Sequence, residues 1–195
     1  MRNLAIPVVL AALAAGCFNE PEPAYKSVPA ESRLYLNDRA LQDLSKTDLS
    51  KVVDYLNLDR NQLTNVDQVA TLKELKWLRL NGNKLKTLPD LKALVKLRRI
   101  YLRGNAFDAV PETLKDLPSL TDVELSGNLL STVPQWLVDK PGLKNVSLNA
   151  TRITVLPEKL DGWKNLQSLQ LGGLNLSAAE MARIRKALPG VAIVF

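Results

Sequence analysis

One phrase returns along this chain at nearly constant spacing. "LKWLRLNGNKL" begins at Leu75, and its counterparts are "VDYLNLDRNQL" at 53, "LRRIYLRGNAF" at 97, "LTDVELSGNLL" at 120 and "LKNVSLNATRI" at 143. Weaker copies begin at 31 and 166 and a truncated one at 188, so successive starts lie 22 or 23 residues apart. Within these five phrases the apolar residues fall at positions 1, 4, 6 and 11, with asparagine at 9 in all but the one at 143. That spacing fits neither a helical period nor a plain alternation. A fixed period of this length marks a chain of stacked units, none of which can bury its apolar residues alone.

The pattern LxxLxLxxNxL resembles the leucine-rich repeat family, and the resemblance covers residues 31–195. It implies an α/β fold: a leucine-rich repeat solenoid of about seven repeats of 22–23 residues, with a parallel sheet on its concave face and a C-terminal capping helix and strand. In the family the side-chain amide at position 9 bonds main-chain groups of its own and adjacent turns. The resemblance therefore implies a structural ladder of Asn61, Asn83, Asn105 and Asn128, with Arg39, Thr151 and Leu174 in the same place elsewhere. A buried amide left unpaired costs ~1–3 kcal/mol, which accounts for the residue type.

Between the phrases, "LPDLKAL", "VPETLKDL", "VPQWL" and "LPEKLDGW" read as short helical or 3₁₀ turns on the opposite side. Lys140 stands where other copies have Leu117 and Trp163, so that turn is expected to be loosened, and Trp136 and Trp163 are expected to pack. "SAAEMARIRKALPG" opens with Ser177 and Glu180, a capping box, and carries Met181, Ile184 and Leu188 on one face. It predicts a true helix followed by a strand from Val191, a lid for the last open turn.

The start of the chain is different in kind. Arg2 precedes an uncharged apolar run from Leu4 to Ala15, too short to span a bilayer, which takes roughly 20 residues as a helix. It reads as a secretion signal. Leu13-Ala14-Ala15-Gly16-Cys17 resembles the lipobox of bacterial lipoproteins, although Ala14 fills the place where that family usually has leucine. The resemblance implies a signal peptide over 1–16, lipid attachment at Cys17, a lipid-anchored linker over 17–30 and the repeat domain over 31–195. Phe18 after the cysteine resembles the outer-membrane sorting class, so the expected location is the bacterial cell envelope, at the outer membrane. Pro21, Pro23 and Pro29 make the linker a stiff tether of about 40 Å at full extension.

Composition removes most catalytic chemistry. There is no histidine and one cysteine, so the commonest acid–base residue and internal disulfides are both excluded. No catalytic residue, metal site or cofactor is expected. The formal charge is +6 from 26 basic and 20 acidic residues, and residues 75–119 hold ten of the former against four of the latter. Function is expected instead on the concave face, where positions 2, 3, 5, 7 and 8 point away from the core. At position 3 the copies read Arg33, Tyr55, Trp77, Arg99, Asp122, Asn145 and Ser168; at position 5 they read Tyr35, Asn57, Arg79, Tyr101, Glu124, Ser147 and Gln170. Tyr, Trp and Arg are the residues enriched at binding hot spots. Tyr35, Tyr55, Trp77, Arg79, Arg99, Tyr101 and Arg103 are thus the candidate partner-binding set, facing a protein partner that could be acidic, with the membrane reached through the lipid anchor.

Other uses compete with this one: recognition of an acidic glycan or wall polymer, a purely structural envelope role, or a hydrolase using Asp122 and Glu124. The last suffers because adjacent strand positions on an open sheet offer no pocket to shift a pKa. Nucleic acid is not an expected partner of an exported protein, and the "NVS", "NAT" and "NLS" triplets at 145, 149 and 175 read as coincidences of an asparagine-rich repeat.

Overall fold

A computed structural model of the chain describes residues 32–49 and 54–195. The signal segment, Cys17 and the linker lie outside the described residues. Eight three-residue strands form one sheet: β1 Arg33–Tyr35, β2 Tyr55–Asn57, β3 Trp77–Arg79, β4 Arg99–Tyr101, β5 Asp122–Glu124, β6 Asn145–Ser147, β7 Ser168–Gln170 and β8 Ala192–Val194. They pair in chain order, every pair parallel.

Position 4 and position 6 of each phrase point inward and pack turn upon turn. Leu56, Leu78, Ile100, Val123, Val146 and Leu169 have no exposed surface, nor do Leu58, Leu80, Leu102, Leu125 and Leu148. Position 11, among them Leu63, Leu85, Phe107, Leu130 and Ile153, closes the same interior from the far side of the strand exit. Burial of a Leu, Val or Phe side chain contributes roughly 1.5–3 kcal/mol, and no single turn could enclose these residues alone.

Asparagine at position 9 bridges the turns. The Asn83 amide donates to Leu80 O of its own turn (3.0 Å) and Leu58 O of the preceding one (3.0 Å), while its oxygen accepts from Leu63 N (3.1 Å). Asn61, Asn105 and Asn128 repeat the arrangement. At Thr151 one hydroxyl bond to Leu148 O (2.8 Å) replaces the set. Position 8 carries a second constraint: φ is positive at Asp38, Arg60, Gly82, Gly104, Gly127, Ala150 and Gly173, the place where the chain leaves the strand in every copy.

The outer turns are 3₁₀ at Asp67–Thr71, Glu112–Asp116 and Asp161–Trp163, and α-helical at α1, Gln135–Asp139. In "LPDLKAL" they are two successive turns, closed by Leu94 N to Leu91 O (2.8 Å) and Leu97 N to Leu94 O (3.0 Å). The turn at Lys140 is not loosened. Lys140 is buried, its stem takes the place of the apolar side chains in other copies, and Nζ donates to Lys115 O of the preceding turn (2.9 Å). Burial pushes its ammonium below the ordinary lysine range. Trp163 is fully buried and donates to Leu137 O (3.1 Å), and Gly162 lets this turn lie against α1, since a Cβ there would sit 2.1 Å from Val138 O.

The C-terminal unit departs from the expected spacing. The register sets Ala192 against Ser168, so the last step is 24 residues (168 to 192) and its phrase begins two residues later than the apparent start at 188. Helix α2, Ala178–Ala187, fills the longer turn. Ser177 Oγ accepts from Glu180 N (3.1 Å), but the Glu180 carboxylate does not complete a capping box: it accepts from Leu156 N of the preceding turn (2.8 Å) and pairs with Arg183 (2.8 Å). Arg183 in turn donates to the carbonyls of Leu156 (3.1 Å), Pro157 (3.1 Å) and Glu158 (3.0 Å). The helix is stapled to the solenoid by charge-assisted bonds as well as by Ile184 and Leu188, both buried.

Candidate functional site

In-register parallel pairing stacks positions 3 and 5 into two rows across the open face of the sheet, opposite the core. Strands ~4.8 Å apart place successive side chains of a row in contact. In the position-3 row Tyr55 meets Trp77 edge-on at 5.9 Å, and Tyr35, from position 5 of the preceding copy, crosses diagonally to Tyr55 at 5.4 Å, centroid to centroid. The Arg99 guanidinium stands over the other side of Trp77 at 4.7 Å, then turns its Nε toward Asp122 at 3.6 Å. Asn145 donates to the same carboxylate (2.6 Å). A second chain runs beside it: Arg79 lies over the Tyr101 ring at 5.2 Å and pairs with the buried carboxylate of Asp59 (2.8 Å). Arg103 continues this side, its backbone N–H bonded to Asn81 Oδ1 (2.8 Å).

All seven residues of the candidate set therefore lie on the first four copies of one face, but most are not immersed in water. Tyr55, Trp77 and Tyr101 are 3, 7 and 5% exposed, and Tyr35, at the end of its row, is 44% exposed. Period-two alternation fixes which face a side chain takes; the flanking side chains then cover it, and Tyr55 and Trp77 are flanked on both sides. The result is an ordered aromatic–guanidinium strip rather than a set of loose side chains. Contrary to the expectation that the open sheet leaves its carboxylates unshifted, Glu124, next in the Tyr101 row, is also buried, with Oε1 held by Ser126 N (2.7 Å) and burial pushing its carboxyl above the usual range.

Positions 7 and 8 are less free than the sequence reading holds. Asp59 Oδ1 accepts from Asn81 N (2.8 Å), Asn81 Oδ1 from Arg103 N (2.8 Å) and Asn149 Oδ1 from Gly172 N (2.6 Å), a polar seam along the strand exits. At the exposed end of the seam Arg60 grips Asp38 (2.5 Å) and holds its carboxyl down at about 2. Asn at position 7 in three copies was the available signal, as was Gly at position 8 in four. On the strand-start side, an open groove runs over β4–β7 between Trp77 and Gln167, sharing only Trp77 and Arg99 with the candidate set. Among the described residues no cluster of His, Cys, Asp and Glu could hold a metal, and no helix is long and apolar enough to cross a membrane.

The architecture defines a fold class: an open parallel-sheet solenoid of the leucine-rich repeat type. Residues 51–107 match the leucine rich repeat family model. Its fold is similar to the crystal structure of an internalin from Listeria monocytogenes, at TM-score 0.62 and 20% identity, over 84% of this chain and 56% of the internalin. The chain thus spans little more than half the length of that protein. A leucine-rich repeat protein of Leptospira interrogans aligns over 73% of this chain and 55% of its own length at 24% identity and TM-score 0.43. No curated protein sequence matches the chain.

Proposed function

We propose that the protein is a non-catalytic, lipid-anchored interaction module that holds a partner protein at the bacterial cell envelope through the open face of its sheet. The observation that carries this reading is the continuous strip from Tyr35 through Tyr55 and Trp77 to Arg99, with Arg79 and Tyr101 beside it. Packing in the core does not require these residue types at positions 3 and 5. Held in place by one another, they lose little side-chain entropy on binding, the condition under which aromatic and Arg side chains act as anchors. Cys17 supplies the anchor, at the outer membrane.

Affinity capture from solubilised envelopes tests the face. Tyr35→Ala removes an exposed ring and Arg99→Ala removes the guanidinium over Trp77 without touching the leucine core; each is expected to weaken capture at least tenfold while the domain stays folded and unfolds in one cooperative transition on heating. Undiminished capture by both variants refutes the assignment. Labelling with a radioactive fatty acid tests the anchor separately: incorporation lost in Cys17→Ser, with the protein released from the membrane fraction, is the expected result, and unchanged sedimentation with membranes contradicts it.

A further inference from the structure

The groove over the strand starts has a chemistry of its own. Arg98 and Lys144, the position-2 residues of β4 and β6, are exposed on its walls, and neither has an acidic partner within ion-pair reach among the described residues. By contrast Lys76, the position-2 residue of β3, is paired with Asp54 (3.0 Å). Asp122, the one carboxylate lining the groove among the described residues, is taken up by Arg99 (3.6 Å) and Asn145 (2.6 Å). What remains is two unneutralised cations two strands apart, about 10 Å at the usual strand spacing, with the exposed Gln167 amide on the far side as a free donor.

The six strand-start amides of β4, β5 and β6 are all taken. Arg98 and Arg99 both donate to Lys76 O (2.8 and 3.2 Å), Thr121 and Asp122 to Arg98 O (2.8 and 3.1 Å), and Lys144 and Asn145 to Thr121 O (2.8 and 3.1 Å). A ligand lying across the strand starts therefore finds none of these six amides free to form a ladder. One peptide conformation that needs none is polyproline II, which repeats every three residues at ~3.1 Å each, about 9 Å per turn. Its same-face positions match the separation of the two cations.

We propose that this groove binds a proline-rich acidic peptide in the polyproline II conformation, with carboxylates three residues apart seated on Arg98 and Lys144. The site is separate from the strip of the proposed function and shares only its Trp77–Arg99 end.

The test uses the full chain and a labelled peptide of four Pro-Pro-Glu repeats, read by fluorescence anisotropy at low and at physiological salt. Two control peptides accompany it: one with Gln for Glu, and one of four Pro-Glu repeats, equal in charge but wrong in spacing. Binding at least tenfold weaker for each control, and at least tenfold weaker in both Arg98→Glu and Lys144→Glu, supports the site; both residues are exposed, and Arg98→Gln and Lys144→Gln repeat the measurement with a smaller charge change. Equal affinity for the two acidic spacings, indifference to the variants, or tighter binding of an oligogalacturonate than of the peptide overturns it. The two readings fail separately: loss of the peptide result with partner capture still sensitive to Tyr35→Ala sinks the groove alone, and the reverse pattern sinks the open face alone.

Discussion

Replacing a ladder asparagine by alanine has a cost that depends on its place in the ladder, and the hydrogen bonds say how. Asn105 sits in the middle: it donates to Leu80 O (2.9 Å) and Leu102 O (2.9 Å) and accepts from Leu85 N (3.1 Å). Each of those carbonyls has a second amide, Asn83 on Leu80 O (3.0 Å) and Asn128 on Leu102 O (3.0 Å). Asn105→Ala therefore orphans a single buried group, Leu85 N–H, at about 2 kcal/mol. Asn128 is the last rung, because Thr151 reaches only Leu148 O. Asn128→Ala strips both Phe107 N–H and Leu125 O of their side-chain partner, two buried groups and about 4 kcal/mol. Urea unfolding followed by circular dichroism measures both, through the shift in midpoint multiplied by the common slope. The expected order is a loss for Asn128→Ala close to twice that for Asn105→Ala. A larger loss at Asn105, or losses below 1 kcal/mol at both, would refute the reasoning that shared acceptors buffer the interior rungs.

Two further outcomes follow from local geometry. Ala150 holds φ at +51° where four other copies have glycine, so Ala150→Gly relieves a strain of ~1–2 kcal/mol against a smaller entropy cost in the unfolded chain, and the unfolding midpoint should rise. Arg183, followed by the Leu156 amide, holds the Glu180 carboxyl below its usual range. A depressed carboxyl contributes stability that is complete above the unfolded-state value of about 4.3 and is lost as pH falls below it through the folded value. Wild type should therefore lose urea resistance on acidification more steeply than Glu180→Gln, which starts lower at neutral pH; parallel acid limbs would contradict the role given to the staple.

Much of this molecule is readable in its repeat. A core position such as Leu78 or Ile100 is set by periodicity alone, because any other placement would expose the same residue in every copy. Asn83 is readable for a related reason: one buried amide type recurs at one place. The departures arise where side chains act between turns. Nothing local to Glu180 shows that its carboxylate reaches back to Leu156 rather than to Ser177, and nothing local to Lys140 shows a carbonyl waiting for it at Lys115. The start of the last phrase is misread for a different reason, since α2 lengthens the final turn and a fixed period does not anticipate it. The rows on the open face are readable as rows. Their burial is not, because exposure of Tyr55 or Trp77 depends on what stands on either side of it.

The open face itself is tested most directly by a photo-reactive benzoylphenylalanine placed at Tyr35, 44% exposed at the β1 end of the aromatic strip, or at Val155, 57% exposed in the loop after β6. Irradiated in intact envelopes, the Tyr35 probe should give a discrete protein adduct that the Val155 probe does not give. An adduct from Val155 with none from Tyr35 would place the partner away from the sheet face and contradict the account.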